Sequence, residues 1–461
     1  MQFLTNKRSK SLLIAGLSLA CLGSFGTAVW AASPPQPPAM NAQGQLPPGP
    51  PPDGKFGGMQ ESCNDASSLT AVKTVDGSSL NLVGQNLASS GINENVLLVR
   101  KGGSLTLTDS RLLKTGDSSN ADASNFTGQN AIMLANNSNA VLENLTLTSD
   151  ADGANAIFAT GEKAQVTAKH IKIHTKNNSS RGLDATYGGT IHAEDVDITT
   201  EGAHCGALAT DRGEGNVIVN GAKIHTSGEG SPCIYSTGNI QLTNGEGVAT
   251  GSEIAVVEGK NSITLQNANL TGHIKHGVML YQSFSGDANV GVASFTAKDS
   301  VLNNNSSGPM FYITNTTAKA TLENTTLNQS GDILVKVTSD RWGASGKNGG
   351  DFTLNAQNQQ LKGQILANNI SKVTLNLGEG STFSGTINND NQAEAANISL
   401  TKGASWQLTA DAYVTTITDE QTDFSNIVSN KHNIYYDKEN NPHLNGRTIN
   451  LPGGGKLKPM P

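Results

Sequence analysis

The chain has 461 residues and a formal net charge of −7, with 36% apolar, 5% aromatic and 15% charged side chains. Charge falls well below the usual quarter, and Asn, Thr, Ser and 51 glycines stand in its place, the residues of turns and solvent-facing strands. An acidic chain without basic runs argues against nucleic acid and anionic membrane surfaces as partners.

In chain order, residues 1–31 read as a signal peptide. Lys7, Arg8 and Lys10 precede an apolar run broken by Gly16, Ser18, Gly23, Ser24 and Gly26, and small residues near Ala31 offer a cleavage site. Cys21 invites a lipoprotein reading, but Ser18 stands three before it where leucine is expected. The mature chain holds no run of the ~18 apolar residues needed to cross a membrane. It is expected to be secreted or at the cell surface, rather than periplasmic or lipid-anchored. Residues 32–58 read as a disordered spacer, because nine of the fifteen prolines lie between Pro34 and Pro52.

Beyond the spacer a pattern recurs: an apolar residue, then Asn, Asp, Gly or His two residues on, then an apolar residue three further. It reads Leu82/Gly84/Leu87, Leu107/Asp109/Leu112, Leu142/Asn144/Leu147, Ala168/His170/Ile173, Ala193/Asp195/Ile198 and Val219/Gly221/Ile224. It continues as Leu265/Asn267/Leu270, Ala297/Asp299/Leu302, Leu322/Asn324/Leu327 and Ala356/Asn358/Leu361. Most early steps are 25 or 26 residues, the mark of a solenoid whose repeats bury their apolar faces only by stacking. Alternating runs such as Ser104-Leu-Thr-Leu-Thr predict strands with one buried face, and the Asn, Asp or Gly predicts a bend. Continuous apolar runs, such as Val278-Met-Leu-Tyr and Met310-Phe-Tyr-Ile, predict a further strand per coil.

On coil length and turn placement, about Leu80 to Leu408 resembles the right-handed parallel β-helix family of pectin-lyase-like enzymes, tailspikes and autotransporter passengers. The resemblance implies an all-β fold, a single right-handed parallel β-helix solenoid with end caps. The expected boundaries are 59–410 for the β-helix with its N-terminal cap and 411–461 for a C-terminal cap or tail. Tyr435-Tyr436, Leu444 and Ile449-Asn-Leu-Pro are the residues expected to cover the last coil.

Cys63, Cys205 and Cys233 survive leader removal. Aligning Gly206-Ala-Leu-Ala-Thr with Cys233-Ile-Tyr-Ser-Thr puts Cys205 one residue out of register with Cys233, within disulfide reach, while leaving open whether the side chains point the same way. No CxxC pair exists, and the histidines His170, His174, His192, His204 and His225 read as polar turn positions, so neither metal nor cofactor is expected. The weak catalytic candidates are Asp195, Asp197 and Lys223, with Asp184 completing the best carboxylate set. Acids beside a base on a solvent face are what β-helix lyases carry, and also what any sheet face favours.

The longer steps from Leu270 to Leu302 and from Leu327 to Leu361 mark insertions after Tyr281 and after the Ile333 strand. These loops are expected side by side at one edge, forming a cleft in which Tyr281, Phe284, Asp340, Arg341 and an exposed Trp342 bind a ligand. The functional expectation is a monomeric, non-enzymatic, adhesin-like or glycan-binding surface protein whose partner is a glycan or other host or cell-surface polymer. The alternative is a polysaccharide lyase or glycoside hydrolase of the β-helix type.

Overall fold

The computed structural model describes residues 66–461; the segments expected to be a signal peptide and a spacer, and Cys63, lie outside the described residues. The repeat is a right-handed parallel β-helix of about 16 turns, 53% strand and 3% helix. A strand with alternating apolar residues buries one face, whereas a continuous apolar run buries two. Both kinds occur in each central coil. The continuous runs, among them Met133–Asn136, Ile157–Thr160, Leu183–Thr186 and Val278–Tyr281, stack into one 15-stranded parallel sheet, here face 1.

The alternating runs form an L-shaped strand. In Gln165–Thr175 the buried apolar residues are Val166 and Ala168, then Ile171 and Ile173. Alternation slips by one residue at His170, whose φ of 53° turns the chain. The slip keeps apolar side chains inward on both limbs, faces 2 and 3. All ten central residues of the sequence motif have φ in the left-handed region, where a Cβ is costly and Asn, Asp and Gly suffer least. Adjacent coils pair in register on both sides of the bend, as in Lys169↔Glu194 and Ile171↔Val196.

Inside, like sits on like. Ile157, Leu183, Leu208, Ile234, Ala255, Val278 and Phe311 are consecutive register partners, each with no exposed surface. Each fully buried Leu or Ile contributes roughly 1.5–3 kcal/mol, available only once the neighbouring coil is in place. Thr70–Asp76 pairs with Glu94–Arg100 as the first described strand of face 1. The ladders also run past residue 410, through Thr416–Asp419 and Ile427–Val428. A four-stranded sheet of Ala412–Val414, Ile434–Tyr436, Ile449–Asn450 and Lys456–Pro459 lies at this end, and Tyr436, Leu444 and Leu451 pack into the main core.

The candidate disulfide does not form: Cys205 and Cys233 are both free and buried. Leu208 pairs with Ile234, which puts Cys233 level with Ala207 and two residues from the level of Cys205, not one. The thiols also point apart. The Cys205 sulfur accepts the Ser180 amide at 3.0 Å and donates to the Asn177 carbonyl at 3.2 Å, both in the preceding coil. Cys233 lies in the main core, its sulfur 3.2 Å from where a Cβ on Gly247 would stand.

Candidate functional site

Two places on the coil stack carry chemistry-bearing side chains: the concave bend between faces 2 and 3, and the outer side of face 1. They lie on different faces, and this decides how the predicted residues group.

At the bend, each left-handed residue turns its side chain outward, and coils repeat about every 4.8 Å. The result is a ladder of amides and carboxylates. Asn244 Nδ2 donates to Asn220 Oδ1 at 2.8 Å, Asn267 Nδ2 to Asn244 Oδ1 at 2.6 Å, and Asn324 Nδ2 to Asp299 Oδ1 at 2.7 Å. An open groove of about 550 Å3 runs along this bend, lined among others by Asp195, Asp197, Lys223, Asn244, Glu246, Asn267 and Asp299. The three weak catalytic candidates therefore do share a site. Asp195 is 73% exposed and lies 3.2 Å from His170 Nδ1. Lys223, 74% exposed, has Asp197 as its register partner but reaches Glu246 at 3.8 Å. Asp184 does not join them; it lies on face 1. Asn244 escapes the sequence motif, because Gly247 stands where an apolar residue is expected. A side chain there would meet Ile224 and the Cys233 sulfur, so the cysteine occupies the volume that the motif residue fills elsewhere.

Face 1 corrects the second expectation. The two insertions do come together, with Trp342 5.3 Å from the Tyr281 ring and 6.2 Å from Phe284. They meet in a packed apolar cluster, however, and the ring expected to be exposed is not. Trp342 is 3% exposed and packs in a cluster with Val256, Met279, Tyr281 and Tyr312. The physical reason lies in the strands beneath. Tyr235, Val256, Met279 and Tyr312 form one column of register partners, and as a continuous apolar column it requires cover. Of the residues expected to bind ligand, Tyr281 and Trp342 are buried, whereas Asp340 is exposed and Arg341 half-buried. The Arg341 guanidinium stands 4.8 Å over the Trp342 ring, and Asp340 accepts the Tyr312 hydroxyl at 2.8 Å.

A third insertion, which the sequence did not reveal as a helix, covers the preceding coils. Ala121–Thr127 is capped by the Asn120 side chain on the Ala123 amide and ends at Gly128, φ 74°. A Cβ on Gly128 would collide with Leu134 and Phe158 of face 1, which explains the glycine. Between the covers lies a buried ionic cluster. Arg181 Nη2 is 2.8 Å from Asp211 Oδ2, its Nε is 3.7 Å from Asp184 Oδ2, and its Nη1 donates to Asn125 of the helix at 2.7 Å. Glu258 accepts the Tyr235 and Tyr281 hydroxyls at 2.7 and 2.9 Å, and that of Ser283. One guanidinium cannot neutralise two carboxylates, so burial pushes Asp184 up to about 6 and Asp211 well above the usual range, and it raises Glu258 too. Arg212 joins the two covers, stacked 3.8 Å over Phe126 and donating to Asp287 at 2.8 Å.

Among the described residues no group of three or more His, Cys, Asp or Glu is placed to hold a metal ion, and no helix is long and apolar enough to cross a membrane. The geometry defines a right-handed parallel β-helix with an open polar groove on one side and a covered face on another. No protein-family model matches the chain, and comparison with curated proteins finds no match.

Proposed function

We propose that this chain is a non-enzymatic, exported or surface-associated β-helix that holds an extended neutral polymer, a glycan in the first instance, along the bend between faces 2 and 3. The observation that carries this is the amide ladder. Asn244 and Asn267 present donors and acceptors one coil apart in an open groove, with Asn269 beside them and Asn220 hydrogen-bonded to Asn244, a repeat that suits the hydroxyls of successive sugar rings. The sign of the groove favours a neutral chain. Asp195, Asp197, Glu246 and Asp299 outnumber Lys223, so a polyuronate, the substrate of the lyase alternative, would meet like charge. Asp184 and Asp211, whose proton affinity is raised and which acid–base chemistry would use, lie buried on the other face.

Titration of the full chain with neutral oligosaccharides tests the proposal. Asn244→Gly and Asn267→Gly remove the amides while tolerating the left-handed backbone, as Gly221 does in its own coil. Together they are expected to weaken binding roughly tenfold or more, at about 1 kcal/mol for each hydrogen bond. Binding unchanged in the double variant overturns the assignment of the groove.

A further inference from the structure

We propose that Lys275, Lys336 and Arg341, gathered around the stacked rings of His276 and Tyr312 on face 1, form a binding site for an oxyanion: a carboxylate, sulfate or phosphate group. This site is separate from the bend groove and does not depend on the reading given to it.

The rings fix the geometry. His276 and Tyr312 stack with centroids 4.1 Å apart and planes 2° from parallel. Lys336 is the register partner of Tyr312 on the next coil, and Lys275 adjoins His276 with its backbone in the left-handed region, φ 62°. Arg341 enters from the insertion above. Among the described residues none of these three cations has a carboxylate within 4 Å, whereas Lys169, Lys260, Lys298 and Lys372 each find one at 2.8–3.2 Å.

Asp340, the acid nearest the rings, is already engaged. It accepts the Tyr312 hydroxyl at 2.8 Å and the Arg341 amide at 2.7 Å. Glu253 and Glu229 offset the field at Lys275, and Glu253 holds the Ser252 hydroxyl at 2.7 Å. Three polar atoms are left over. His276 Nδ1, Arg341 Nη2 and Trp342 Nε1 are buried without a hydrogen-bond partner in the protein. A buried guanidinium donor without an acceptor is costly, and an incoming oxyanion supplies that acceptor and the missing negative charge together. The local field is positive: burial, with Lys275 and Lys336, depresses His276 to about 4, so the imidazole is neutral and the cations Lys275, Lys336 and Arg341 supply the positive charge of the site.

Calorimetric titration of the full chain with sodium sulfate, inorganic phosphate and acetate tests the proposal, with ionic strength held constant by sodium chloride. At least one oxyanion is expected to bind saturably. Arg341→Gln and Lys336→Gln are each expected to weaken that binding roughly tenfold while leaving the circular-dichroism spectrum unchanged. Lys336 is exposed, so its variant carries the test should Arg341→Gln perturb the fold. A response to all three anions no different from chloride, or variants that bind as the parent does, overturns the site.

Discussion

Trp342 shows how a single side chain separates a binding surface from a structural cover. Large, apolar and set in the glycine-rich stretch Trp342-Gly-Ala-Ser-Gly, it reads in sequence as an exposed anchor, yet it is buried against Tyr281 and Phe284. Trp342→Ala is therefore expected to cost about 3–5 kcal/mol and to lower the thermal midpoint of unfolding; an unchanged midpoint would mean that the ring does not pack. The thiols give a second test. Burial raises Cys205 to about 11 and Cys233 to about 12, so both should resist alkylation at pH 8 in the folded protein and react on unfolding. A peptide joining them in an unreduced digest would contradict the strand register.

At the scale of elements, the coil was legible and its covers were not. The bend residues announce themselves because few side chains tolerate positive φ, and all ten from the motif sit there. The insertions announce only their length. Nothing local in Ser119–Gly128 required a helix; its place follows from the uncovered side chains of Leu134 and Phe158, which the sequence separates from it. The signal available was the continuous apolar character of the face 1 strands, which meant that both sides of that sheet were buried.

Arg212, held between Phe126 and Asp287, ties two covers together. Arg212→Leu is expected to destabilise by about 3 kcal/mol, by leaving a mostly buried carboxylate unpaired, and to speed proteolysis within 282–290. The cluster beneath also sets a pH dependence. Asp184 and Asp211 hold protons more tightly folded than unfolded, so their contribution to stability is fully present below the ordinary carboxylate range and lost as pH rises through about 6. Because His276, held near 4, contributes in the opposite sense, the test is the difference: the parent's urea midpoint minus that of Asp184→Asn should fall between pH 5 and pH 7.5, and a difference that rises over this interval contradicts the sign.

The whole molecule is a one-dimensional stack, with stability shared between neighbouring coils. Leu80, Leu82 and Leu87 of the first coil remain partly exposed, while the equivalent residues within Gln165–Thr226 are buried. Amide exchange should accordingly be faster in Ser79–Ser89 than in Gln165–Thr226. A scaffold of this kind presents surface rather than a closed pocket, and its open polar surface is the groove at the bend. The most direct test of that assignment is a binding screen of the full chain against neutral and uronic-acid oligosaccharides, with product analysis on the same mixtures. The account predicts retention of a neutral glycan, lost in the Asn244→Gly, Asn267→Gly variant, with every oligosaccharide recovered intact. Unsaturated products or new reducing ends from a uronic-acid polymer, abolished by Asp197→Ala, would contradict it.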